Sequence, residues 1–152
     1  MLIRRTVPTM LFSLLVAIVL GGCVAPARTS TPVQRPGPHP DLVVLNRVGV
    51  RNPGELCNLD PAAAAPRLIV SVRNQGPASA GPSMTRVEFN QGGSFDLATP
   101  PVPPGAAVDL PPLRVPATCF NPNCQFRITV DSASSVYESN AQNNSANGTC
   151  TG

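Results

Sequence analysis

The chain has no tryptophan and no lysine, one tyrosine and one histidine, and only 12% of its 152 residues are charged. Without Trp, and with a single Tyr, nothing in it supplies a sugar platform. His39 stands between Pro38 and Pro40 with no second imidazole, so it offers neither a base for a triad nor a ligand pair for a metal. All eleven basic residues are Arg, set against eight acids and spread along the chain, which leaves no basic footprint for nucleic acid. No G-x-S-x-G, H-E-x-x-H or phosphate loop occurs. Gln91-Gly92-Gly93-Ser94 reads as a hairpin tip, since no helix follows it to present an N-terminus to an anion. These absences point away from an enzyme and from any cofactor.

What the chain has in plenty is proline (19) and glycine (12). Proline removes a backbone donor and clashes inside helices, and no stretch beyond the N-terminus carries a 3.6-residue apolar repeat. The expectation is an all-β domain.

The N-terminus reads differently. Arg4 and Arg5 precede an apolar run over residues 11–20, and Leu20-Gly21-Gly22-Cys23 follows. That is a charged n-region, an h-region and small residues before a cysteine. The order resembles a bacterial lipobox, which implies cleavage before Cys23 and lipidation of its thiol. The run is too short to span about 30 Å of hydrocarbon as a helix. Residues 1–22 are thus expected to be a signal peptide, and their removal takes the formal charge from +3 to +1, since Arg4 and Arg5 leave with them. Several acyl chains on one residue, at roughly 0.8 kcal/mol per buried methylene, make a permanent anchor in the bilayer. Residues 23–40 then form the lipidated cysteine and a proline-rich linker, extended as polyproline II over about 50 Å.

Residues 41–152 carry the β pattern. Strands are expected at 41–45, at 67–73 with Leu68, Val70 and Val72 inward, and at 85–89. A short edge piece follows at 95–97, then strands at 107–110, 113–115, 126–131, 136–138 and near 143–150. About seven antiparallel strands in roughly 100 residues fit an immunoglobulin- or fibronectin-III-like β-sandwich. Tyr137 is expected to pack, because it stands in the wrong place for a tyrosine corner.

With Cys23 lipidated, Cys57, Cys119, Cys124 and Cys150 remain, an even set in an exported chain. Four cysteines allow three connectivities. The favoured one staples the Phe120-Asn121-Pro122-Asn123 loop by Cys119–Cys124 and ties an early loop to the C-terminus by Cys57–Cys150. A zinc site is weaker, for Cys119 and Cys124 make one knuckle with no partner knuckle and no nearby His.

The segment from Val130 through Asp131, Glu138 and Asn140 to Asn143-Asn144 resembles the end of a CARDB module, the cell-adhesion-related domain found in bacteria. Pro40-Asp41-Leu42, Val70-Ser71-Val72-Arg73-Asn74-Gln75-Gly76 and Pro104-Gly105-Ala106-Ala107-Val108 agree with it in order and spacing. Ala141 and Ser134 depart from it where acidic and Asn residues are common, which removes oxygen donors from that loop. The resemblance implies a β-sandwich for adhesion, binding an envelope or surface protein or a polysaccharide. The alternative is an accessory or inhibitory subunit of an envelope enzyme. Asp131, Glu138, Asn140, Asn143 and Asn144 suit a turn that hydrogen-bonds its own backbone. Asp131, Glu138 and Asn140 form the minority reading, a calcium site. The chain is expected to face the periplasm or the exterior, on an outer membrane where the organism has one.

Overall fold

Period-2 alternation decides which face each strand buries. The structure, a computed structural model, describes residues 37–47 and 55–152. The signal peptide, Cys23 and the linker up to residue 36 lie outside the described residues.

Nine strands form there: β1 (Leu42–Val44), β2 (Arg67–Leu68), β3 (Ser71–Asn74), β4 (Ser83–Phe89) and β5 (Gly93–Thr99). They continue with β6 (Ala107–Asp109), β7 (Leu113–Arg114), β8 (Asn123–Thr129) and β9 (Ser145–Thr151). One antiparallel sheet has the order β5-β4-β8-β9 and the other β1-β3-β6, with β2 and β7 as a separate pair. In β4, Thr85, Val87 and Phe89 are buried between exposed Arg86 and Glu88; in β8, Cys124, Phe126 and Ile128 are buried between exposed Gln125 and Arg127. Leu42, Val72 and Leu110 share one apolar core with Val87, Phe89, Phe126 and Ile128. The fold is an all-β sandwich.

Four expectations are corrected. Residues 67–73 are not one strand, because Ile69 N–H bonds to Asn58 O and the chain changes partners, β2 pairing with β7 and β3 with β1 and β6. Leu68, Val70 and Val72 are nonetheless all buried. The edge piece at 95–97 is a full seven-residue strand in unbroken register with β4, from Ser83 opposite Thr99 to Phe89 opposite Gly93. Residues 136–138 form no strand. Asp131 and Ser134 take positive φ, 47° and 51°, and turn the chain off the sheet after β8. Tyr137 therefore does not pack in the core: it is 50% exposed and meets the His39 ring edge-on at 4.8 Å.

The head also begins earlier than its first strand. Pro40 is buried, and its carbonyl accepts Ser139 N–H at 2.9 Å. The last linker residues are thereby bound to the domain.

Candidate functional site

Two places concentrate polar side chains: the loop after β8, and the outer face of the four-stranded sheet. In the loop, Asp131 is 4% exposed. Its Oδ1 accepts Ser135 N–H (3.0 Å) and Ser135 Oγ–H (2.6 Å), and its Oδ2 accepts Val136 N–H (2.9 Å). A carboxylate that closes its own turn in this way holds the left-handed backbone that Asp tolerates better than most residues.

Glu138 reaches back across the fold. One of its oxygens accepts the N–H of Leu42 at the start of β1, and the other accepts Asn144 Nδ2–H at 2.6 Å. Partial burial pushes its carboxyl above the ordinary glutamate value. The two donors oppose that shift, while the nearby charges of Asp131 and Asp41 add to it. Asn143 donates to Asp41 Oδ1 at 2.9 Å, and Asn140 accepts Gln142 N–H at 3.1 Å as the cap of the short helix Ala141–Asn143. Each side chain of the proposed calcium set thus spends its oxygens on backbone or side-chain donors around it. All five loop residues tie the C-terminal loop to itself or to β1. The bonds of Glu138 and Asn143 join positions about one hundred residues apart in the chain.

Asn74, named from sequence only within the 70–76 stretch of the family resemblance, is the centre of this end of the sandwich. It is 0% exposed. Its Oδ1 accepts the N–H groups of Asp41 and Gly76, and its Nδ2 donates to the carbonyls of Ala78 and Val102. Four backbone groups from three loops converge on one amide.

The outer face of the sheet is different. Asn90, Gln125, Arg127, Asn147 and Thr149 line a groove of about 280 Å³, with Phe126 and Gly148 beneath. Asn90 Nδ2 donates to Gln125 Oε1 at 2.8 Å, while Arg127, opposite Glu88 in the register, makes no ion pair within 4.0 Å among the described residues. Period-2 alternation puts these residues outward, so the sequence carried the signal but named no groove. The remaining charges of this face cancel, since Arg86 and Asp96 pair at 2.8 Å and the Arg86 hydrogen bond holds the Asp96 carboxyl below its ordinary value.

The cysteines pair as Cys57–Cys150 and Cys119–Cys124. Among the described residues no three His, Cys, Asp or Glu side chains are grouped to hold a metal ion. The CARDB family profile matches residues 39–148, which is most of the sandwich. The chain belongs to the CARDB family. Its fold is similar to that of the CARDB domain of the PF1109 protein from Pyrococcus furiosus, crystallised in complex with di-metal ions. The two are 21% identical over 74% of this chain and 93% of that one, with a TM-score of 0.45. No curated protein matches the chain. CARDB is a family of adhesion-like β-sandwich modules of a non-catalytic, binding type.

Proposed function

We propose that this chain is a lipid-anchored extracytoplasmic protein whose CARDB head is a non-catalytic binding module for an envelope or surface protein or a polysaccharide. The observation that carries the anchor is the cysteine pairing. The chain has five cysteines, and the head joins four of them to one another. The fifth is Cys23, the residue that ends Leu20-Gly21-Gly22-Cys23. Two bridges in so small a head also suit an oxidising compartment outside the cytoplasm. For binding, the outer-face groove presents the free guanidinium of Arg127 beside side-chain amides and a hydroxyl, a donor-rich lining suited to a polar ligand.

Metabolic labelling with an alkyne fatty acid tests the anchor. Label on the full chain, lost together with membrane association in Cys23→Ala, is the expected result; an unlabelled membrane-bound chain removes the lipoprotein reading. Capture from solubilised envelope with the full chain, comparing wild type with Arg127→Ala, tests the binding module. A partner retained equally by both would move binding off the groove.

A further inference from the structure

β5 forms one edge of the four-stranded sheet. Among the described residues no strand lies along it, since β5 ends the four-stranded sheet. Asn90 N–H bonds to Gln125 O, so the even-numbered residues at that end of the β4 line bond toward β8 and the odd-numbered ones toward β5. Val87 faces Phe95 in the register. The odd-numbered β5 residues therefore bond inward to β4, and the N–H and C=O groups of Ser94, Asp96 and Ala98 point off the sheet.

Edge strands normally carry a guard: a proline, a bulge, a lone inward charge, or very short length. β5 has seven residues in continuous register, with no proline and no bulge. Its one charge, Asp96, lies on the outer face beside Arg86 at 2.8 Å and is not an inward-pointing guard. One residue before its centre, Phe95 is 36% exposed, resting edge-on against Phe89 with ring centroids 5.9 Å apart. The strand is thus an uninterrupted template with an apolar residue at the core rim.

We infer that β5 pairs antiparallel with β5 of a second copy of this chain, joining two four-stranded sheets into one around a twofold axis at Phe95. Register selects that axis. Centring on Asp96 would set two carboxylates directly opposite each other, which disfavours a pair. Centring on Leu97 would run Ser94 against Pro100, which has no N–H to give. Centring on Phe95 avoids both. Ser94 and Asp96 exchange main-chain bonds with Asp96 and Ser94 of the second copy, their side chains meet as hydroxyl and carboxylate on the outer face, and the two Phe95 rings cover each other on the inner face. The contact is isologous and closes on itself, so it forms a dimer and not a fibre.

Cysteine crosslinking in the full chain, in the membranes of an expressing bacterium under mild oxidation, reads this register. Phe95→Cys is expected to give a band at twice the chain mass on a non-reducing gel, and Ala98→Cys, three residues from the axis, none. Equal crosslinking of the two, no dimer from either, or crosslinking of Phe95→Cys to a different protein overturns self-pairing. Sedimentation of the full chain in detergent decides the matter without new cysteines. Wild type is expected as a dimer and Ser94→Pro as a folded monomer with an unchanged circular-dichroism spectrum, because the N–H that proline removes faces off the sheet. A monomeric wild type, or a dimer that survives Ser94→Pro, overturns the proposal.

Discussion

Glu138 is held at the meeting point of β1 and the C-terminal loop, with Asp131 and Asp41 as its acidic neighbours. Its carboxyl titrates above the ordinary value chiefly because burial disfavours the charged form. A carboxyl whose pKa is higher in the folded chain than in the unfolded one binds its proton more tightly when folded. Its contribution is fully present below the unfolded value and is lost as pH rises through the folded one. Comparing melting curves of wild type and Glu138→Gln from about pH 4 to about pH 7 should therefore show wild type losing ground to the variant as pH rises. A gap that widens in favour of wild type would mean that the donors from Leu42 and Asn144 outweigh burial. Asn74 makes a different prediction, since it does not titrate. Asn74→Ala strands the N–H groups of Asp41 and Gly76 and the carbonyl of Ala78, while the Val102 carbonyl keeps the Ala80 N–H, at about 1–3 kcal/mol for a buried group left unmade. A loss of about 3 kcal/mol or more in urea unfolding is expected, with the denaturant slope unchanged. Asn74-Gln75-Gly76-Pro77 has the composition of a turn. It held no sign that the same amide would serve Asp41 and Val102, which come from other loops.

At the scale of elements, the strands that alternate strictly were legible and the others were not. β4 and β8 read directly from Val87 and Phe89, and from Phe126 and Ile128, because a buried face and a wet face demand that pattern. The full length of β5 was hidden, since Gly93-Ser94 and Ala98-Thr99 have little apolar signal and an edge strand leaves most of itself in water. Val136-Tyr137-Glu138 misled for the opposite reason. Its β-favouring residues promise a strand, but Asp131 captures Ser135 and Val136 N–H in a turn before any ladder forms. That turn gives the element its prediction. Asp131→Ala removes three hydrogen bonds and the residue that tolerates the positive φ there, so it should cost about 2–4 kcal/mol. Asp131→Asn keeps the tolerance and one acceptor, and should cost less than half as much. Equal losses in chemical unfolding would mean that the charge, and not the turn, is what matters. The loop's five polar residues were all named from sequence as turn-formers. Their joint attachment to β1, through Leu42 and Asp41, needed the fold to bring residues about one hundred positions apart together.

Across the whole molecule, the two disulfides do unequal work. Cys57–Cys150 closes 93 residues of chain and Cys119–Cys124 closes 5. By loop entropy, removing the first pair should lower stability by about 4.5 kcal/mol and the second by about 2 kcal/mol. The larger loss threatens a small head whose first strand has only three residues. A further consequence comes from register: Cys124 and Cys150 are direct partners across β8 and β9, and both are fully buried. The two bridges therefore lie side by side. Deleting one cysteine leaves a thiol next to an intact disulfide. In Cys57→Ala, the freed Cys150 thiolate is placed to attack Cys124, forming a Cys124–Cys150 bridge and releasing the Cys119 thiol, an exchange in which one S–S bond forms as another breaks. Removing Cys57 and Cys150 together leaves nothing to attack with. Peptide mapping under acid quench should find the exchanged bridge in Cys57→Ala and only Cys119–Cys124 in the double variant. Stability should follow the chemistry: the double variant unfolds in a single transition about 4.5 kcal/mol below wild type, while the single variant is heterogeneous. An unexchanged single variant would show that packing around Cys124 holds the sulfurs apart more firmly than their register suggests.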